Sequence, residues 1–167
     1  MKTLVSQLAN YAHYHRDKRN IYTQFIGIPL IVYALAVLLS RPSFTLTPEL
    51  TLTPATLAVA ITCVYYLFLS LSLGLVMTVL MAAVLVGAAP LAALPWPHWP
   101  GWGGGLFLLA WVFQFIGHYF EGKKPAFVDD LIGLVIGPLF VVVELLFMLG
   151  LYKGLKQDIE QIAGKVR

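Results

Sequence analysis

Residues 55–89 read ATLAVAITCVYYLFLSLSLGLVMTVLMAAVLVGAA, 35 positions without one Asp, Glu, Lys or Arg. As a single helix rising 1.5 Å per residue they would extend roughly 52 Å, against about 30 Å of bilayer hydrocarbon. One helix is too long, whereas two helices folded back on each other fit, with the expected reversal at Ser70-Leu71-Ser72-Leu73-Gly74. The composition agrees. Of 167 residues, 59% are hydrophobic and only 11% charged, where soluble domains carry roughly 45–50% and about 25%. So few charges cannot cover a globular surface, and the chain reads as an all-α, polytopic integral membrane protein with a single domain, 1–167. The net charge of +3 is spread over the termini and one loop, which suits membrane orientation and not nucleic-acid binding. The lone Cys63, inside the apolar run, has no disulfide partner in the chain and makes no thiolate cluster.

Working outward toward the N-terminus, RPSFTLTPELTLTP (41–54) has three prolines and the element TLTP twice, and is expected to be an extended loop. A first span covers 21–40, with Pro29 removing a backbone donor and predicting a kink. Residues 2–16 form an amphipathic helix: Leu4, Leu8, Tyr11 and His15 recur on one stripe, with His13 on the opposite side. His15 therefore faces whatever this helix packs on. Residues 1–20 carry basic charge and no short apolar core ending in a cleavage site, so they read as mature protein lying at the interface. Asn20 is the expected N-cap of a helix starting at Ile21.

Toward the C-terminus, PLAALPWPHWPGWGGG (90–105) brings Trp96, Trp99 and Trp102 to an aromatic belt, with His98 an interfacial residue among prolines. Residues 105–120 form the next span. Residues 131–151 form a last apolar segment, broken at Gly137-Pro138 and carrying Glu144, and 152–167 are a basic amphipathic tail. The expectation is an N-terminal interfacial helix followed, over 21–151, by four to five transmembrane or re-entrant helices. Lys2, Arg16, Lys18 and Arg19 put the N-terminus on the cytoplasmic face by the positive-inside rule. Counting spans from there returns residue 118 to the same face. A complete fifth span would strand Lys153, Lys156, Lys165 and Arg167 on the far side, so 131–151 is expected to re-enter, both arms on the cytoplasmic face.

FQFIGHYFEGKKPAF (113–127) carries the chemistry. His118 and Glu121, three residues apart, share a helix face at the end of an apolar run, where ionisable groups are rarely kept without a use. They fit a metal site or a proton-handling one; the alternative is an interfacial His beside a snorkelling acid. The topology brings them to the face that holds His15, Asn20 and Gln24, with Gln114 one turn before His118. Imidazoles with carboxylate or amide oxygens suit a non-haem Fe(II), Mn or Zn site. Lys123 and Lys124 are candidates to meet a substrate carboxylate, or serve only as membrane anchors. Glu144, deep in an apolar segment, is a candidate to hold the ring of a ligand His. Asp129 and Asp130 are expected to cap the helix beginning at Leu131.

The stretches YAHYHRDKRNIYTQFIGIPLIV (11–32) and QFIGHYFEGKKPAF (114–127), and more loosely GPLFVVVE (137–144), resemble the signatures of the 2-hydroxy fatty acid dioxygenases of fatty-acid α-oxidation. The resemblance implies an Fe(II)-dependent enzyme that uses O2 to shorten a 2-hydroxy fatty acid by one carbon. By position it implies iron ligands at His15 and His118, with Asn20 and Glu121 as the other motif residues. The family pattern has a His where this chain has Gln24; either Gln24 is a weaker, oxygen-donating third ligand or hydrogen-bonds oxygen, or His13 substitutes, or the activity is altered or lost. Bacterial members of the family imply an inner-membrane location. The competing reading is a non-enzymatic lipid- or metal-binding membrane protein, or an inactive relative; a transporter is disfavoured because no inverted repeat is visible.

Overall fold

The computed structural model describes residues 3–167; Lys2, counted above among the cytoplasmic charges, lies outside them. The elements run α1 (Leu4–Ala12), α2 (Lys18–Leu39), β1 (Phe44–Thr47), β2 (Leu50–Leu52), α3 (Pro54–Leu69), α4 (Leu71–Ala92), α5 (His98–Glu121), α6 (Gly133–Met148) and α7 (Lys153–Ala163), with a 3-10 turn at Ala126–Val128. The protein is all-α in class. α2, α4 and α5 are each long and apolar enough to cross a membrane. Ile61, Phe68, Val79, Val86, Leu108 and Phe115 are exposed along their helices, the inverse of a soluble surface.

The chain divides into two compact units. Residues 30–110 form the one without the candidate site. Its helical hairpin turns where expected: Ser70 breaks the apolar run, ends α3 and caps α4 through Leu73 N–H to Ser70 Oγ at 3.3 Å. Val37, Ala36 and Ala88 form a small core beneath Tyr33 and Trp99, and the Trp99 indole donates to the Val37 carbonyl at 2.8 Å. Trp96 and Trp102 are exposed, as a belt requires. The segment 41–54 is more ordered than a loop. Its alternating Thr and Leu pair as an antiparallel hairpin, Phe44 opposite Leu52 and Thr45 opposite Thr51, around Pro48-Glu49.

Residues up to 29 and from 111 onward form the other unit. α1 packs on α6 and α7, and Leu8 and Ala12 of α1, Ile136, Leu139 and Phe140 of α6 and Ile159 of α7 are all at 2% exposure or less. Three sequence expectations change here. α2 begins at Lys18, and its cap is Asp17, whose Oδ1 accepts the Arg19 N–H at 2.9 Å, so Asn20 is free for other work. Gly137-Pro138 does not break α6. A Cβ at Gly137 would stand 2.9 Å from Ile28 Cδ1 and 3.1 Å from the Tyr11 hydroxyl, so this glycine permits close packing. The real break falls at 149–152, where Gly150 and Tyr152 take positive φ and α7 departs at 117° to α6. Asp130 caps the turn into α6 through the Ile132 N–H, while Asp129 instead accepts the Tyr14 hydroxyl and pairs with Lys124.

Candidate functional site

Three pieces of the site-bearing unit meet: the loop 13–17, the first turns of α2 and the last turns of α5. The α1 stripe buries Leu8 and Tyr11, so the chain leaving the helix at His13 carries His15 inward while His13 stays exposed. α5 approaches α2 closely because residue 117 is glycine; a Cβ there would collide with the Thr23 hydroxyl and the Asn20 side-chain oxygen. The next residue, His118, thereby meets His15, with ring centroids 4.9 Å apart and planes at 70°. Tyr11 stacks on His15 at 4.3 Å, and Phe140 lies against it at 5.5 Å.

His15 Nδ1 donates to the Tyr11 carbonyl at 2.9 Å. A carbonyl only accepts, so this nitrogen carries the proton. Burial, far outweighing that bond, lowers the His15 pKa to about 3; the neighbouring His118 and Arg16 lower it further. The ring is therefore neutral and its Nε2 is a bare lone pair. That atom is buried with no hydrogen-bond partner, and so is Nδ1 of His118. Orphaned buried polar atoms of this kind cost about 1–3 kcal/mol each unless something binds them.

Gln24, fully buried, donates to Gln114 Oε1 at 2.7 Å and accepts the Tyr11 hydroxyl at 3.4 Å. Gln114 leaves its own Nε2 unpartnered in the same interior. Asn20, also fully buried, donates to the Tyr14 carbonyl at 3.1 Å and to Glu121 at 3.2 Å.

Glu121 is occupied otherwise than the sequence reading expects. Its Oε1 accepts the Arg16 N–H at 2.9 Å and an Arg167 N–H at 3.3 Å; its Oε2 accepts the Asp17 N–H at 2.8 Å besides Asn20. A carboxylate at the end of α5 thus caps the start of α2 from across the interface and pins the loop that carries His15. Glu144 likewise holds no His. It pairs with Arg16 at 3.4 Å, both side chains buried. Arg16 also donates to the carbonyls of Ala12 and His15 at 2.8 and 2.9 Å and to Gly164 at 3.0 Å. Lys123 donates to the His13 carbonyl at 3.0 Å and Lys124 pairs with Asp129 at 2.5 Å, both exposed beside the buried cluster.

Sequence reasoning missed Arg16 and Arg167 as parts of the site. An acid inside an apolar helix demands a cation, which signals that Glu144 has a partner, but nothing in the chain's order says that the partner is Arg16. Arg167 reaches Glu121 only because the segment after α7 folds back, with Lys18 N–H on the Arg167 carbonyl and Arg167 N–H on the Arg16 carbonyl.

The donor set fits a divalent metal ion in part. His15 Nε2 and His118 Nδ1 are two buried, unpartnered ring nitrogens on imidazoles in contact, and Gln24 is a buried amide in the same cluster. The carboxylate of a two-His, one-carboxylate site is not offered, because both nearby glutamates are engaged. Among the described residues no three His, Cys, Asp or Glu side chains converge to hold a metal.

Fold and site define a helical membrane protein that buries a pair of imidazoles where an N-terminal loop meets the end of an apolar helix. Residues 1–149 match the family described as Mpo1-like, 2-hydroxy-palmitic acid dioxygenase Mpo1-like, and the chain belongs to that family. It is 32% identical over 159 residues to the 2-hydroxy-palmitic acid dioxygenase MPO1 of Saccharomyces cerevisiae, covering 94% of this chain and 87% of the yeast protein. No solved structure matches the chain.

Proposed function

We propose that this protein is a membrane dioxygenase that shortens a 2-hydroxy fatty acid by one carbon, with Fe(II) held by His15 and His118 and O2 as co-substrate. The observation that carries the reading is a pair of imidazoles in ring contact, each with a buried, unpartnered nitrogen, His15 Nε2 and His118 Nδ1. Family membership and the yeast relative's activity on 2-hydroxy-palmitic acid supply the substrate class. Ferrous iron, when bound, supplies the one-electron steps that O2 needs to react with a closed-shell substrate.

The chain's own residues do the rest. Tyr11 holds the His15 tautomer that leaves Nε2 free. Glu121 and Arg16 fix the backbone on either side of that ring. Gln24 and Gln114 offer amide groups for the substrate's α-hydroxyl or for the metal. Lys123 and Lys124, exposed at the end of α5, would release the His13 carbonyl and Asp129 to receive the carboxylate, with the acyl chain against the apolar spans. Lys18, Arg19, Lys123 and Lys124 gather at this end of the molecule, which supports placing it on the cytoplasmic face of a bacterial inner membrane.

The test is oxygen uptake by detergent-purified, iron-loaded protein with 2-hydroxypalmitate, palmitate as control, and pentadecanoic acid as product. Loss of iron and turnover in His118→Ala is expected. A protein that retains no metal, and that His118→Ala leaves unchanged, would overturn the proposal. One observation favours a second reading, an inactive or purely binding relative: Gln24 is committed to Gln114 and the ligand set stops at two imidazoles. Gln24→His separates the two, because a gain of iron affinity and activity from a silent parent would mark decay from an enzyme.

A further inference from the structure

An opening in the site-bearing unit lies apart from the imidazole pair, with neither His15 nor His118 in its lining. It is a slot between the start of α2, the end of α6, α7 and the returning tail. Its rim carries Lys18, Lys156 and Lys165, one from each of three separate pieces of chain, over a floor that includes buried Ile21 and Phe147 and half-buried Val166. Among the described residues none of the three lysines is in an ion pair.

The carboxylates at the slot do not neutralise it. Glu144, at its base, is already paired with Arg16. Glu160 is the other acid in the lining, and it too faces Arg16. Four cations therefore stand against two carboxylates; Lys156 shares the Glu144 charge with Arg16, and Lys18 and Lys165 make no side-chain ion pair among the described residues.

The slot also has an apolar side. Tyr22 and Met148 line it and are 51% and 61% exposed, continuous with exposed Ile26 on α2 and Leu145 on α6. A ligand there would meet cations at one end and bare hydrocarbon along its length. α7 leaves α6 at 117° with Ile159 inward and lysines outward, the posture of a helix lying at a bilayer surface.

We propose that this slot is a binding site for an anionic phospholipid, its phosphate between Lys18, Lys156 and Lys165 and its acyl chains over Tyr22 and Met148. Three ammonium groups arriving from different directions suit the several oxygens of a phosphate, each as a separate point charge, better than the two oxygens of one carboxylate. Such a lipid would tie α7 and the tail to the start of α2, the same junction that Glu121 and Arg16 pin from inside. The proposal does not depend on the reaction above.

Native mass spectrometry of the detergent-purified full chain tests it, with dioleoyl phosphatidylglycerol, dioleoyl phosphatidylcholine and oleate as probes. The expected result is one retained phosphatidylglycerol, favoured over phosphatidylcholine by about tenfold or more. That preference should vanish in the triple variant K18Q/K156Q/K165Q and survive in the charge-keeping K18R/K156R/K165R. Lys153→Gln, which removes a lysine on α7 outside the slot, should leave it within about twofold. Equal retention of the two phospholipids, or an equal loss in Lys153→Gln, would reduce the effect to general surface charge and overturn the proposal. So would oleate displacing phosphatidylglycerol at equal concentration in a rim-dependent way, which would make the slot a fatty-carboxylate site.

Discussion

Glu121→Gln separates a ligand from a clamp. In the native protein the carboxylate side chain has no exposure and takes N–H donors from Arg16, Asp17, Asn20 and Arg167. Gln keeps the shape and one acceptor oxygen but turns the other oxygen into an NH2 group that confronts an N–H. At least one of the short backbone bonds, 2.9 Å from Arg16 or 2.8 Å from Asp17, must then break. Hydrogen bonds to a charged acceptor are worth about 1.5–3 kcal/mol each, and a stranded buried donor costs about 1–3 kcal/mol. The expected loss is about 2–4 kcal/mol of unfolding free energy, counting one broken bond and the weakening of the rest. It should be present in full in metal-free protein, since the clamp needs no metal. Denaturant titration in detergent measures the loss, and amide hydrogen exchange at Arg16 and Asp17 locates it. If metal-free Glu121→Gln unfolds like the parent and those two amides exchange no faster, the clamp is wrong and the carboxylate belongs to the metal.

Arg16→Met should cost about 3–5 kcal/mol, because it leaves the Glu144 charge buried in α6 without its cation, and the double variant Arg16→Met/Glu144→Leu should recover most of that in the same titration. Gly117→Ala pushes a methyl into Thr23 and Asn20 and should cost about 1–3 kcal/mol, with metal retention falling as His118 moves from His15; unchanged stability and retention would show that α5 can back away freely. Burial sets the folded pKa of His15 at about 3 against an ordinary 6.5, so as pH falls the unfolded chain protonates first. Stability of the metal-free protein should therefore be flat above about pH 6.5 and decline from there toward pH 3, with a shallower decline in His15→Gln; superimposable melting-versus-pH curves for the two proteins would refute a buried neutral His15.

The hairpin of α3 and α4 was legible because length alone forbids one helix over residues 55–89, and the polar serines supply a place to turn. The meeting of His15, Asn20 and Gln24 with Gln114, His118 and Glu121 was expected too, but α1 ends at Ala12 instead of running to residue 16, so His15 arrives on the loop after the helix and not on its stripe. Gly137-Pro138 misled because these residue types mark breaks on average, whereas here the missing Cβ makes room for Ile28 and the Tyr11 hydroxyl. Asn20 misled because a good capping residue was one turn too late, and Asp17 stood closer to the helix start.

By itself, the sequence determined the solvent of this protein, the number of apolar segments, and which end of the chain's helices holds imidazoles and amides. These follow from composition and period, which are local and additive. The roles of the charged groups were decided only by the tertiary structure. Glu121 reads as a metal-site or proton-handling group three residues from His118, and Glu144 as a support for a His. Their partners come from residues 16, 17, 20 and 167, more than 45 positions away along the chain. A buried charge must find its counter-charge or its donors wherever the fold brings them. Spacing along the chain cannot say which those will be.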